Sequence, residues 1–359
     1  LFSVVVLYAY FPGLQVSNLY VLYNFGGLLD SSESDRLEYV CKMRAKSSIY
    51  TTCSKQTITG KIKTLIMQRI LKYIISENTA PVTILDFLKK EGFSRHILSS
   101  MKNTPDTIIL NGERGFGRSV LKPQDCLVIT VPETESGENI IRTKMNLNIL
   151  YEDEDILVIN KPADMPVHPS AGNYENTLAN GIAWYFAEKG EDFVYRCINR
   201  LDRDTTGALV LAKNPLSAAI LSVQMKNRQI RRTYLALVDG ILPETGTVNA
   251  PIARMNGSVI TREVNFKDGE SAVTHYECLA AGRNYSLAEL HLETGRTHQI
   301  RVHMKYIGHP LPGDYLYNPD YRKIKRQPLH SYQLEFTHPI TGRPLLFTAP
   351  LPEDFISAF

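Results

Sequence analysis

The sequence has few cysteines and no ordered use of them. Its five, Cys41, Cys53, Cys126, Cys197 and Cys278, are scattered and odd in number. No Cys-x-x-Cys pair occurs. That excludes a disulfide scaffold and a thiolate zinc site, and fits a reducing compartment such as the cytoplasm. Strong net charge is missing too. Forty Lys and Arg stand against 37 Asp and Glu, a formal charge of +3, so no global basic field points to a polyanion. Gly112, Gly115 and Gly117 lack the spacing and the strand–loop–helix context of a dinucleotide loop. His298, His303 and His309 stand neither three nor four apart, and no Glu takes the zincin position, so no metal is expected. No other cofactor is implied.

What is present suits one large and one small domain, with ample length for a core. The first 29 residues carry no charge, which by length permits a membrane span. Pro12, Gly13, Gln15, Asn18, Asn24, Gly26 and Gly27 interrupt that run, and no basic residue precedes it as a signal peptide requires. No membrane association is expected. A clean amphipathic pattern begins only near Met67. The expectation is that the native start is Met67 and that residues 1–66 are an extension of doubtful order.

Residues 67–132 read as a compact unit. Apolar positions in Val82–Lys90 recur at helical spacing, with Gly92 ending the run, and Ser94 can cap a second helix through Met101. Thr107–Leu110 reads as a strand, Asn111-Gly112 as a tight turn and Leu127–Val131 as another strand. This order resembles the S-four-like RNA-binding domain. The resemblance makes Lys89, Lys90, Arg95, Lys102, Arg114 and Arg118 candidate phosphate contacts, although each alone is more simply a solubilising charge. The polar segment 133–146 is the linker, and a larger domain spans 147–359.

In that domain, Asp155–Lys161 reads as a strand ended by Pro162, and residues 176–188 suit a helix. Pro215 sits well as a first helical residue. Arg231–Val238 alternates as a half-buried strand, with Thr233, Leu235 and Leu237 on one face and Tyr234, Ala236 and Val238 on the other. Strands at 271–279 and 284–292 follow. Thr297 is a plausible cap for the helix after Gly295. Residues 196–232 hold eight Lys and Arg against two Asp, a patch able to track phosphates or to serve as a solvated face. Within it, Ile198-Asn-Arg-Leu-Asp-Arg-Asp-Thr-Thr-Gly207 is a polar loop feeding the buried strand Ala208–Ala212. Taken alone, it is a turn whose Asp and Thr side chains bond the local backbone.

Asn199-Arg-Leu-Asp-Arg-Asp-Thr-Thr-Gly207 also resembles the signature loop of the RluA-type pseudouridine synthases, His-Arg-Leu-Asp-x-x-Thr-Ser-Gly, with Asn199 in place of the His and Thr206 in place of the Ser. Three further blocks resemble the same family in the same order. They are Asn160-Lys-Pro leading to Val167-His-Pro169, Arg232-Thr-Tyr-Leu-Ala236, and Gly295-Arg-Thr-His-Gln-Ile-Arg-Val-His-Met304 with Gly308-His-Pro310 and Gly313-Asp314. The resemblance implies an α+β fold: a mixed, mainly antiparallel sheet flanked by helices, with a central cleft.

The implied reaction isomerises uridine to pseudouridine within structured RNA, large-subunit ribosomal RNA first and transfer RNA next. It neither oxidises nor transfers phosphate, so it needs no metal and no cofactor. The matched positions make Asp202 the catalytic residue, as nucleophile or as base. They make Arg301 its ionic partner, Tyr234 a flat surface for the base, and Arg200 a contact that fills the vacated stack or holds a phosphate. A monomer is expected. Two other readings remain: a non-catalytic RNA-binding protein that kept the fold, and a hydrolase using Asp202 and His298.

Overall fold

The structure, a computed structural model, describes residues 4–9, 18–23, 68–135 and 140–358. The chain forms two units, Leu1–Lys63 and Thr64–Phe359. In the first, strand β1 (Val4–Ala9) pairs antiparallel with β2 (Asn18–Tyr23). The expected extension 1–66 and the start at Met67 fall largely outside the described residues.

The second unit opens with β3 (Arg69–Ile74), β4 (Val82–Thr83), α1 (Ile84–Lys90), α2 (Arg95–Asn103), β5 (Ile108–Leu110), β6 (Glu113–Arg114), β7 (Val120–Leu121) and β8 (Cys126–Val131). Local chemistry sets these boundaries. The Thr83 hydroxyl accepts from Asp86 N and caps α1, and Ser94 accepts from Ile97 N and caps α2. Asn111 and Gly112 both take positive φ, which the two-residue turn between β5 and β6 requires. Ile84, Leu88, Ile97, Met101, Leu127 and Ile129 bury their side chains together. A leucine from further along the chain, Leu216, completes this core.

Next come β9 (Ile149–Glu152), β10 (Ile156–Lys161), α3 (Leu178–Glu188), β11 (Thr206–Ala212), α4 (Pro215–Lys226) and β12 (Arg231–Asp239). They are followed by β13 (Thr245–Asn249), β14 (Ile252–Arg254), β15 (Arg262–Val264), β16 (Val273–Ala281), β17 (Tyr285–Leu292), α5 (Gln299–Tyr306), β18 (Leu329–Thr337), β19 (Pro344–Thr348) and α6 (Glu353–Ala358). The large sheet runs β13-β16-β17-β12-β18-β11-β10-β9, with β19 beside β18. Its pairings are antiparallel except β11 with β18, which is parallel and confined to Thr206↔His330 and Gly207↔Ser331. This is the mixed, mainly antiparallel α+β architecture expected. At the parallel contact Gly207 has φ +108°, and a Cβ there would stand 2.2 Å from the Ser331 carbonyl oxygen. Only glycine lets the signature loop enter the sheet at this point.

Both faces of the sheet are covered. On one, Leu157, Leu209, Tyr234 and Ala236 pack under Leu178, Ile182 and Phe186 of α3 and Ile300 and Met304 of α5. On the other, Val158, Val210 and Ala212 meet Leu221 of α4. The strand expected to be half-buried at 231–238 is exposed or half-buried at Arg231–Thr233 but buried on both faces from Tyr234 to Val238, where Ile324 and Phe355 cover Leu235 and Leu237. The turn between α1 and α2 leans on α4: a Cβ on Gly92 would lie 2.6 Å from Ile220 Cγ1. Arg69 adds a bidentate ion pair, its Nε and Nη2 donating to the two Asp155 carboxylate oxygens at 2.8 and 2.9 Å. No helix among the described residues is long and apolar enough to cross a membrane.

Candidate active site

The signature loop is held in place before it reaches the strand. Ile198 N donates to Val210 O, and the Asn199 side-chain carbonyl accepts from Val210 N at 2.9 Å. Asn199 thus supplies with its side chain the acceptor that β11 would otherwise take from a neighbouring strand. Thr205 N donates back to Asp202 O, which closes the turn. The Thr206 hydroxyl bonds the buried His330 ring at 2.8 Å.

Asp202 emerges from this turn with its side chain 28% exposed. Arg301 Nη1 donates to Asp202 Oδ2 at 2.8 Å. The rest of that guanidinium is taken by Asp314: Nε to Oδ2 at 2.7 Å and Nη2 to Oδ1 at 2.8 Å. Arg301 and Asp314 are fully buried, and the Tyr315 and Tyr317 rings flank the guanidinium. Burial pulls Arg301 down, but Asp314 and Asp202 more than reverse this and hold it above its ordinary value. It is a fixed cation whose one free edge aims at Asp202.

His298 Nε2 lies 3.9 Å from the same carboxylate oxygen. Tyr317 Oη accepts from Arg262 N at 2.8 Å and lies 3.0 Å from His298 Nδ1, which holds the imidazole in place beside Asp202. Burial lowers the His298 pKa against the pull of Asp202, which favours the neutral ring. Thr297 does not cap α5. His298 takes the N-cap position in a left-handed conformation with no side-chain cap, and Gln299 Oε1 accepts from Arg296 N and from the Thr294 hydroxyl instead. The other histidines are engaged elsewhere: His303 with Thr274 and Ala250 O, His309 with Asp239 O.

Lys161 shows no role in the sequence and is fully buried here. Its Nζ donates to Pro162 O at 2.8 Å, Met165 O at 3.0 Å and Arg203 O at 2.8 Å. It ties the Pro162–Met165 loop to the residue after Asp202. Burial pulls this ammonium down to about 7, although Asp204 and Asp202 pull the other way. Because its folded value lies below the unfolded one, its contribution to stability grows as pH rises from about 7 to 10 and is lost as pH falls back to 7. Loop geometry responds in the opposite sense, since a neutral amine has two N–H bonds for three carbonyls. Above pH about 8, activity is therefore expected to fall while unfolding free energy rises by roughly 1 kcal/mol per pH unit, and Lys161→Met flattens both profiles. Urea unfolding and turnover measured from pH 6 to 10 check this. A Lys161→Met profile that keeps the wild-type shape removes the lysine from the support of the loop.

The cleft over Asp202 holds roughly 1070 Å³ and is lined by Val167, His168, Arg200, Arg228, Arg232 and Arg296 among others. Arg200 is exposed on its wall. Arg203 turns aside to pair with Asp164. Burial pushes the Cys197 thiol up to about 12, so the cleft's cysteine is no nucleophile. Tyr234 does not line the open cleft. It is 4% exposed and lies in the core cluster that includes Leu201, the neighbour of Asp202. The six candidate phosphate contacts within residues 68–132 are all exposed. Lys102, Arg114 and Arg118 line one groove with Phe116, whereas Lys89 is paired with Asp86 at 2.9 Å, and Lys90 and Arg95 lie outside that groove.

Residues 155–306 match the RNA pseudouridylate synthase family model. The chain is 41% identical over 274 residues to the uncharacterized RNA pseudouridine synthase YjbO of Bacillus subtilis, covering 76% of this chain and 96% of that one. It is 39% identical over 268 residues to ribosomal large subunit pseudouridine synthase D of Haemophilus influenzae, covering 71% and 78%. A solved structure of human RNA pseudouridylate synthase domain containing 1 shares 28% identity, covers 61% of this chain and 86% of that one, and gives a TM-score of 0.49. On its matched blocks and on the Bacillus and Haemophilus relatives, this chain belongs to the RluA-type RNA pseudouridine synthases.

Proposed function

We propose that the substrate is large-subunit ribosomal RNA and that Asp202 carries the bond chemistry. The observation that supports the second point is a carboxylate open to a cationic cleft and oriented by a buried arginine that a second carboxylate holds still. The first rests on the name of the Haemophilus relative; transfer RNA is the alternative. In the reaction the N1–C1′ bond breaks, the uracil turns over, the C5–C1′ bond forms, and the C5 proton leaves while N1 gains one. Asp202 attacks or removes a proton; either role needs its carboxylate. Turning the uridine out of its stack costs a few kcal/mol, and Arg200 stands where it can fill the gap or take a phosphate.

The same reading divides the chain into an S-four-like RNA-binding domain at 67–132, a linker at 133–146 and a catalytic domain at 147–359. Lys102, Arg114 and Arg118 around Phe116 are its best-supported RNA contacts, with Lys89, Lys90 and Arg95 as further candidates. It places the protein in the cytoplasm as a monomer.

Tritium release from RNA carrying 5-tritiated uridine tests the proposal, with ribosomal and transfer RNA compared. Release from ribosomal RNA supports it. Release from transfer RNA alone replaces the substrate, and no release from either, with RNA binding intact, leaves a non-catalytic binding protein.

Tyr234 tests the support under the base. Tyr234→Phe keeps the ring and is expected to cost little. Tyr234→Ala opens a buried cavity, at about 3–5 kcal/mol by the usual cost of deleting a core aromatic, and takes most activity with it. Equal losses of activity in the two variants, with the fold intact by urea unfolding, would assign the role to the hydroxyl instead.

A further inference from the structure

Eight lysines and arginines crowd residues 196–232, and the structure sorts them. Arg196 is paired with Glu133, Arg203 with Asp164, Lys213 with Glu152, Arg228 with Glu293 and Arg231 with Glu335. Among the described residues, Arg200, Lys226 and Arg232 have no carboxylate partner, and all three line the cleft. Arg200 and Lys226 are exposed, where water solvates a cation at no cost. Arg232 is different. It is half-buried, and its Nε is buried with no hydrogen-bond partner. Nη1 lies 3.5 Å from where a Cβ on Gly295 would stand, so the guanidinium rests against bare backbone at the turn before α5. A buried N–H left unmade is costly, and a cleft is where a ligand can supply the acceptor.

Position adds a second constraint. Arg232 and Tyr234 alternate onto the same face of β12, about 6–7 Å apart along the strand. Tyr234 packs in the cluster that contains Leu201, beside Asp202. A charged, multi-oxygen acceptor one pleat from that point matches the distance from a nucleobase to its own backbone.

We propose that Arg232 is an anion subsite that takes a backbone phosphate of the RNA next to the turned-out uridine. This rests on the RNA-isomerase reading above. A phosphate offers both the negative charge and the paired acceptor oxygens to which a guanidinium fork donates, and it gives the buried Nε the acceptor it lacks.

The test separates binding from turnover. The affinity of transcribed large-subunit ribosomal RNA is measured across a salt series on Asp202→Asn protein, with and without Arg232→Gln. Loss of one phosphate contact is expected to weaken binding about tenfold. It should also make the slope of log K against log salt shallower by about 0.7–0.9. Arg232→Lys should restore the slope but not the full affinity, because a point charge cannot reproduce the fork. Tritium release is followed in parallel with Asp202 intact. An unchanged slope and affinity in Arg232→Gln, with release by the wild type, overturns the subsite and leaves the function standing. A shallower slope with no release by the wild type keeps the subsite and overturns the isomerase reading.

Discussion

Asp202→Asn is expected to lower tritium release by about 10⁴-fold or more, the range a positioned acid, base or nucleophile supplies. RNA affinity should stay near the wild-type value. The substitution is nearly isosteric. An amide oxygen can still accept from Arg301 Nη1, and the turn's Thr205 N to residue 202 O bond is backbone and unaffected. What disappears is the negative charge and the lone pair that attacks or removes a proton. Asp202→Glu keeps both but pushes the carboxylate outward by one methylene. A displacement of that order is expected to cost about 100-fold. The pair of variants therefore separates chemistry from placement: Glu should retain measurable turnover where Asn does not. If Asn retains a rate within about 100-fold of wild type, the loss is one of placement and Asp202 leaves the mechanism.

The two residues of this site were legible only as members of matched blocks. Asp202 and Arg301 lie 99 positions apart, and no periodicity connects them. They meet because the loop before β11 and the first turn of α5 lie on the same side of the sheet, a fact of topology. Local signals did better where the physics is local. Ser94 caps α2, Pro215 opens α4, and Asn111-Gly112 makes the hairpin turn, each within a few residues of its partner. The same kind of signal failed at Thr297, where Gln299 reaches back to Arg296 N and forces a left-handed His298 into the cap position. It failed over 234–238 as well, because Ile324 and Phe355, which bury the second face there, are remote in sequence. Lys161 and Asp314 are the residues most fully hidden. Nothing in Asn160-Lys161-Pro162 shows that the ammonium ends under three carbonyls from two separate loops, and Gly313-Asp314 marks the end of a block without showing the guanidinium it holds.

Arg301→Met is expected to destabilise the protein by about 3–5 kcal/mol, the cost of leaving one partner of a buried ion pair alone. Methionine replaces most of the side-chain stem between the Tyr315 and Tyr317 rings, so packing is not the main loss. The loss is electrostatic. Asp314 is fully buried, and without Arg301 its Oδ2 loses the Nε bond while Oδ1 keeps only Leu316 N at 3.0 Å and Tyr317 N at 3.2 Å. Asp202, by contrast, can turn to water. Turnover is expected to collapse with stability, but through a different carboxylate. A double variant distinguishes the two. Arg301→Met with Asp314→Asn removes the stranded charge and should recover about 1 kcal/mol or more of the lost unfolding free energy, a coupling of the size seen between directly bonded groups. It should recover none of the activity, because Asp202 still lacks its orienting N–H. Urea unfolding and tritium release on the same preparations read the two quantities. A single Arg301→Met loss below about 1 kcal/mol, the worth of an exposed pair, would mean that water reaches Asp314 and that the buried triad does not hold the site together.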